Sequence, residues 1–272
     1  VLLDDYRKSG CEKAVFLAGI FSGLAFGCKY PAGVMFLAGL LSLIIYFFKN
    51  KNKNWFKSIG FFCLGAGLLA LPWLIKNFAF TGNPIYPFFL ESGSMNHIRL
   101  NVYQGMLPYG NLLDLFFLPI RATIMGVDGA HGYSVSIGPL LLGLGVIAFL
   151  GWEEKDPEQK LSIVNAGLIA FFGILVWAIG NQFSGYLIQT RFYFVLFPAF
   201  AILAGFGYFQ IKQYHIGQVR IKRLVYILII MVLAFNTFQL IAEVVEKDVL
   251  SNVFGYQSNQ EYLEKNLGWY AR

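Results

Sequence analysis

Long apolar segments alternate with short polar connections along most of this chain. Each segment is close to the roughly 17–25 residues that a helix needs to cross the hydrocarbon core of a bilayer. Inside lipid every backbone N–H must be paired within the structure, so helices are the expected form. We therefore predict an all-α fold, a polytopic transmembrane helix bundle with about seven spans. The seven apolar segments are Ala14–Cys28, Ala32–Phe48, Ser58–Ile75, Ser136–Leu150, Leu161–Gly180, Phe192–Ile211 and Leu224–Ala242.

The basic residues of the connections predict which side of the membrane each one faces. Most of the 21 lysines and arginines fall in one alternate set of connections, of which the short loop Lys49–Lys57 is strongly basic. Positive charge is enriched in cytoplasmic loops. We therefore expect this loop in the cytoplasm and the two large polar pieces on the extracytoplasmic side. The predicted organisation is a transmembrane domain over 1–242, with an extracytoplasmic loop at 76–135, and an extracytoplasmic tail over 243–272.

Two patterns predict short helices in the extracytoplasmic pieces. The segment Leu112–Met125 is apolar but interrupted by Asp114 and Pro119, which favours a helix lying on the membrane surface over a span. In the tail, Ser258 and Glu261 have the spacing of a capping box, which opens a helix.

A stripe of small residues lies on the first apolar segment. Gly19, Gly23 and Gly27 recur at a spacing of four, which lets a second helix approach the first closely. We interpret the stripe as ordinary helix packing.

The composition supports a membrane protein. Hydrophobic residues make up 57% of the chain and charged residues 13%, against about 25% charged in soluble domains. The net charge of +6 is carried in short loops between apolar segments, so we expect no nucleic-acid partner. The three cysteines and three histidines lack the spacing of a disulfide framework or a metal site. We expect a multi-pass protein of the plasma (inner) membrane, with membrane lipids as its surroundings.

The stretch Pro72–Phe89 is where we expect the chemistry. The third apolar segment ends there beside Lys76 and passes into the turn residues Thr81-Gly82-Asn83-Pro84, followed by Tyr86 and Pro87. Glycine and asparagine accept left-handed backbone, and proline pushes the preceding residue out of helical geometry. Lipid, water and polar side chains should therefore meet at this point.

Three cations are predicted at the extracytoplasmic membrane surface. Arg191 opens the sixth segment, Lys76 closes the third, and Arg121 lies in the predicted interfacial helix. Together they suit the phosphate of a lipid-linked substrate, which lies at headgroup level. The alternative is that each cation is an interfacial anchor that snorkels to phospholipid headgroups.

Among the acidic residues, Asp128 is the candidate general base within the chain. It lies between glycines, close to His131. A solvated aspartate in a turn is the alternative interpretation. Asp4 and Asp5 are expected in the cytoplasm as part of a charged loop.

The residues above resemble the integral-membrane GT-C glycosyltransferases, in particular relatives of protein O-mannosyltransferases and lipid A aminoarabinose transferase. The resemblance is carried by GLAFGCKYPAG (23–33), PWLIKNFAFTGNPIYPFF (72–89), IGPL (137–140) and QTRFY (189–193), in the order found in that family. Cys28 and Phe192 depart from the usual residues, a small hydroxyl residue and tyrosine.

The resemblance implies transfer of a sugar from a polyprenyl-phosphate donor to a lipid, glycan or protein acceptor. It implies that Arg191 helps to bind the donor phosphate, with Lys76 and Arg121, and that Tyr86, His131 and Tyr193 are further candidates. The family's catalytic acidic residue lies in a first outer loop, which would fall upstream of Val1. The first residues of this chain look like the end of a preceding helix, so we expect a fragment that is inactive alone. The resemblance identifies no definite cofactor, and a divalent metal stays open.

Three other functions stay open. A secondary transporter or flippase would show inverted repeats and polar residues in broken helices, and no such repeat is visible. A polysaccharide polymerase or ligase would also use a lipid-linked substrate and outer arginines. A membrane scaffold without activity would leave the outer cations unexplained.

Overall fold

The computed structural model describes residues 2–50, 55–105, 111–126, 135–211, 215–216 and 219–267. The predicted all-α fold is confirmed for these residues, which are helical apart from loops and a two-residue antiparallel ladder. The α-helices are α1 (Leu2–Ser9), α2 (Glu12–Cys28), α3 (Val34–Asn50), α4 (Trp55–Thr81), α5 (His97–Gly105), α6 (Leu112–Phe116), α7 (Leu118–Ile124), α8 (Pro139–Ile147), α9 (Pro157–Phe183), α10 (Phe197–Ile211), α11 (Ile221–Glu246), α12 (Val249–Val253) and α13 (Asn259–Asn266). Short 3-10 turns cover Tyr30–Gly33, Trp152–Glu154, Gly185–Ile188 and Thr190–Leu196, and the ladder pairs β1 (His215–Ile216) with β2 (Val219–Arg220).

Five helices in the described part of the chain are long and apolar enough to cross a membrane. They are Tyr30–Asn50, Trp55–Thr81, Pro157–Phe183, Thr190–Ile211 and Ile221–Glu246. The first and fourth predicted segments form shorter helices, α2 with 17 residues and α8 with nine. The protein is therefore a multi-pass membrane protein by its helices, and the count of seven spans stays a prediction.

Helices α2 and α4 pack at backbone contact. A Cβ atom at Gly19 would lie 2.1 Å from the carbonyl oxygen of Phe62, and one at Gly23 would lie 2.3 Å from that of Ala66. Only glycine fits at such distances, so the predicted close approach at the small-residue stripe is confirmed. Gly27 lies beyond the contact, because a Cβ atom at this position would lie 4.0 Å from the carbonyl oxygen of Leu69.

A second packing contact joins α8 to α10. A Cβ atom at Gly207 would lie 1.8 Å from the carbonyl oxygen of Leu144. Beside this contact, Trp177, Leu196 and Leu203 are buried in the larger hydrophobic core, which α9 and α10 share with residues from α7 and α8. This core holds the start of the Thr190–Ile211 helix in place.

Helices α1, α3 and α9 are joined by a polar network. The guanidinium of Arg7 donates to the hydroxyl oxygen of Ser42 at 2.6 Å and to Asp4 at 3.2 Å. The amide of Asn165 in α9 also donates to Asp4, at 3.2 Å. The residues Asp4 and Asp5, expected in a charged loop, therefore lie in α1, and Asp4 takes part in helix packing.

The predicted interfacial helix Leu112–Met125 is divided into α6 and α7. The division falls at Phe117, because Pro119 cannot donate a backbone hydrogen bond and so favours the first turn of a new helix. Leu118 and Ala122 are buried in the core, whereas Phe116 and other apolar residues are exposed. Helix α7 therefore packs one face against the protein core and exposes a second apolar face on the protein surface.

The chain divides into two compact units, Val1–Gln210 and Ile211–Arg272. The second contains α11 to α13. Its predicted tail helix is confirmed as α13, which Ser258 and Glu261 open with a reciprocal capping box.

Candidate functional site

Tyr30 links three segments at one end of the first unit. It lies directly after α2, at the start of the helical segment that continues into α3. Its hydroxyl group accepts a hydrogen bond from the Asn77 amide at 2.9 Å and donates one to the carbonyl oxygen of Tyr86 at 2.8 Å. Asn77 is buried near the end of α4. The stretch expected to carry the chemistry is thereby fixed to the α2–α3 junction.

The loop after α4 is organised by the Asn83 side chain, which is fully buried. Its amide nitrogen donates to the carbonyl oxygen of Phe88 at 2.8 Å, and its amide oxygen accepts from the backbone N–H of Ile85 at 3.0 Å. Thr81 closes the helix by donating to the carbonyl oxygen of Asn77 at 2.7 Å. The short polar residues of the turn thus supply the partners that the irregular backbone needs. The Tyr86–Pro87 peptide bond is cis.

Two cations from different parts of the chain meet beside this loop. The ammonium group of Lys29 donates to the carbonyl oxygen of Arg191 at 2.7 Å. Lys29 lies 4.9 Å and the Arg191 guanidinium 5.5 Å from the centre of the Phe192 ring. Phe192, which stands where the resembled family usually has tyrosine, therefore still supplies an aromatic ring that both cations contact.

Lys29 and Arg191 are both exposed, so a ligand can reach them. Partial desolvation among the helix ends, together with the positive charge of Arg191, lowers the pKa of Lys29. An anion bound between the two groups would relieve both effects. The pair has the charge and access of a phosphate-binding site.

The other two predicted cations have different surroundings. Lys76 lies on an exposed face of α4, with its ammonium group 4.6 Å from the centre of the Trp73 ring. Arg121 forms an ion pair with Asp114. The backbone N–H of Asn111 and this guanidinium lower the pKa of Asp114. Arg191 is thus the predicted cation that the structure brings together with a second one, Lys29.

Two apolar cavities lie next to Tyr30. The first, of about 530 Å³, is lined by Phe88, Phe89, Ser184 and Tyr193 among others. The second, of about 460 Å³, is lined mainly by residues of α2, α3 and α4. Tyr30, Pro31 and Val176 line both. An extended apolar ligand could therefore lie against both cavities.

Tyr193 is a buried wall of the first cavity. Its ring stacks on Trp177 with 4.9 Å between the ring centres, and the indole N–H of Trp177 donates to the carbonyl oxygen of Ile188 at 2.8 Å. Tyr86, the other predicted tyrosine, presents its hydroxyl group to Ser94 at 2.5 Å. Of the two, only Tyr193 lines a described cavity.

The acid and histidine candidates are not part of this geometry. Asp128 and His131 lie outside the described residues. Within the described ranges, no three histidine, cysteine, aspartate or glutamate side chains are grouped as metal ligands.

The sequence reasoning did not select Lys29, Tyr30 or Asn77 as site residues. The sequence did contain a signal for Lys29. This cation directly follows a glycine-rich apolar segment and precedes Tyr30-Pro31, close to hydrocarbon, where a charged side chain has a high solvation cost. Nothing in the sequence indicated that Lys29 meets Arg191, because 162 positions separate them.

A family model described as Domain of unknown function (DUF8201) matches residues 6–94. The match runs from α1 through the loop after α4, and so includes Lys29, Tyr30, Asn77 and Asn83. No curated protein and no solved structure matches the chain.

Proposed function

We propose that this protein is a membrane glycosyltransferase of the GT-C type. It would transfer a sugar from a polyprenyl-phosphate donor to an acceptor at the extracytoplasmic membrane surface. The observation that carries the proposal is the pair of Lys29 and Arg191 beside Tyr30, which lines two apolar cavities. A lipid-linked phosphate has the same two parts, an anion at headgroup level and a long apolar chain.

The direction of the helices supports an extracytoplasmic site. Glu12 and Lys57 form an ion pair of 2.8 Å at the starts of α2 and α4, and Tyr30 and Asn77 bond at their ends. The two helices are therefore parallel, and α3 must return between them. This favours α2 as a crossing helix despite its length, and it assigns Lys29 to the side opposite the basic loop Lys49–Lys57.

The same reasoning favours a crossing at α8. The ammonium group of Lys155, after α8, donates to the side-chain oxygen of Gln210 at 3.3 Å, so α8 and α10 end on one side. Lys8 and Glu158 form an ion pair of 2.8 Å, so α9 starts on the side of α1. Phe89 and Phe183 then pack with 5.4 Å between ring centres at the far end of α9. Crossings by α2, α3, α4, α8, α9 and α10 account for these contacts, and α11 would be the seventh crossing.

The proposed reaction uses the two cations to stabilise the leaving group. An acceptor hydroxyl group attacks the anomeric carbon, and the bond from that carbon to the phosphate oxygen breaks with both electrons moving to the phosphate. The acceptor proton passes to a carboxylate outside the described residues, for which Asp128 and an upstream acid are the candidates. Lys29 and Arg191 hold the charge that develops on the polyprenyl phosphate. Tyr193 and Phe88 would border the cavity in which the reacting groups lie.

The test is binding of a polyprenyl monophosphate to the full chain in lipid nanodiscs. Lys29→Gln and Arg191→Gln should each weaken binding about 10- to 100-fold, since a hydrogen bond to a charged group contributes about 1.5–3 kcal/mol. Lys57→Gln is the matched control, because it removes a paired cation at the opposite helix ends. Wild-type affinity in both site variants would refute the proposed site.

A second measurement separates the glycosyltransferase from the flippase. Vesicles containing the full-length protein are supplied with polyprenyl-phosphate-linked sugars and with a membrane extract as the source of acceptor hydroxyl groups. Release of free polyprenyl phosphate, abolished by Arg191→Gln, supports transfer. Movement of the intact donor across the vesicle membrane without cleavage would favour the flippase.

A further inference from the structure

The tail that follows α11 combines a set of polar side-chain contacts with a group of exposed apolar side chains. Asp248 accepts hydrogen bonds from the Ser251 hydroxyl group and, at 3.2 Å, from the ammonium group of Lys265. Asn252 in α12 donates to the side-chain oxygen of Asn259 at 3.0 Å. These contacts tie α13 back onto α12, so the tail is a folded element.

Four apolar side chains of the same element are exposed. Tyr256 is 86% exposed, Val253 and Phe254 are each 68% exposed, and Leu250 is 52% exposed. A small element in water would bury such a contiguous group, because apolar surface is expelled from water. We call Leu250, Val253, Phe254 and Tyr256 the tail patch.

The backbone holds the tail patch in a defined shape. Gly255 has a φ of 78°, and the N–H of Tyr256 donates to the carbonyl oxygen of Ser251 at 2.8 Å. The N–H of Gly255 donates to the carbonyl oxygen of Asn252 at 3.1 Å. These are the two bonds of a Schellman motif, which ends α12 and turns Tyr256 to the surface.

The position of the patch along the chain specifies what covers it. Helix α11 is long and apolar enough to cross the membrane and ends at Glu246, and α12 begins at Val249. Three residue steps reach at most about 10 Å. The headgroup layer on each side of the hydrocarbon core is roughly 5–8 Å thick. The patch is therefore within reach of the membrane interface.

The chemistry of the patch fits a lipid surface. Aromatic residues are enriched at the membrane–water boundary, where an apolar ring with a polar tip is favoured. Tyr256 is such a residue, and Phe254 and Val253 beside it supply the apolar area. The side chains of Asp248 and Lys265 are partly exposed, so water reaches their contact.

We propose that the tail patch docks into the headgroup layer of the membrane and holds α12 and α13 against the bilayer surface. The bilayer is its partner, and no protein partner is needed. This inference depends on α11 crossing the membrane and is independent of the proposed enzyme activity.

The experiment places an environment-sensitive fluorophore on single cysteines of the full chain in phosphatidylcholine nanodiscs. The native Cys11, Cys28 and Cys63 are replaced by alanine, and the probe is attached at Val253→Cys or Tyr256→Cys. Gln260→Cys is the control, because position 260 is exposed on α13 and is not one of the four patch residues. Both patch probes should emit at shorter wavelength than the control and should be quenched by nitroxides near the lipid headgroups.

A second variant keeps the test sharp. Phe254→Asp in the Val253→Cys background should shift the emission back to the wavelength of the control and abolish the quenching. Circular dichroism checks that the helices are kept. Two results would overturn the proposal: patch probes that emit at the same wavelength as the control, or quenching that persists in the Phe254→Asp variant.

Discussion

Replacement of Gly23 by alanine tests the contact between α2 and α4 on which the position of the candidate site depends. The new Cβ atom would lie 2.3 Å from the carbonyl oxygen of Ala66, and the atoms in contact belong to the backbone. Non-bonded heavy atoms are at their best separation near about 3.5 Å, so the two helices must separate by about 1 Å. A side chain cannot rotate away to relieve this overlap.

The magnitude follows from two opposing terms. Overpacking of this kind costs about 1–3 kcal/mol. Alanine also favours the helix over glycine by up to about 1 kcal/mol. Gly27→Ala is the matched control on the same helix, because its Cβ atom would lie at an ordinary contact distance, 4.0 Å, from the carbonyl oxygen of Leu69. The helix-propensity term is shared, so the two variants should differ by about 1–3 kcal/mol.

The assay is unfolding in mixed micelles with an increasing fraction of SDS, followed by circular dichroism. Gly23→Ala should unfold at a lower SDS fraction than wild type, and Gly27→Ala at the same or a higher fraction. Gly19→Ala, with its Cβ atom 2.1 Å from the carbonyl oxygen of Phe62, should behave like Gly23→Ala. If Gly23→Ala and Gly27→Ala unfold together, the helices do not meet at this face and the reasoning is wrong.

Three further predictions concern the core, the loop and the cations. Gly207→Ala should destabilise the protein, because its Cβ atom would lie 1.8 Å from a carbonyl oxygen of α8, whereas Gly205→Ala has nothing within 4 Å and should not; SDS unfolding compares the two. Asn83→Leu leaves the backbone N–H of Ile85 and the carbonyl group of Phe88, both partly buried, without their partner, at a cost of about 1–3 kcal/mol. Limited proteolysis should then cleave the loop faster than in wild type. The pKa of Lys29 is lowered from its ordinary 10.5, so the native state binds fewer protons than the unfolded state and stability rises as pH increases towards that value. Arg191→Gln should raise this pKa and slow reductive methylation of Lys29 at mildly alkaline pH, and an unchanged rate would show that the two charges do not interact.

Several features of this protein were determined by local chemistry and could be read from the sequence. The apolar segments become helices because lipid offers no other partners to the backbone. The turn at Thr81–Pro84 forms because its residues accept irregular backbone and bond to it, and α13 begins at Ser258 because a capping box satisfies its first N–H groups. The glycine stripe on α2 likewise predicted a close helix contact, because a helix face without side chains lets the backbone of a second helix come near.

Other features were decided by the tertiary structure alone. The nine-residue length of α8 and the burial of Leu118 in the core were not visible in the hydrophobic periodicity, which carries no record of packing partners. The meeting of Lys29 with Arg191 depends on α2 ending at the level where the Thr190–Ile211 helix begins. Charge and helix ends are local properties of a sequence, whereas the distance between two cations is set by the packing of every helix between them.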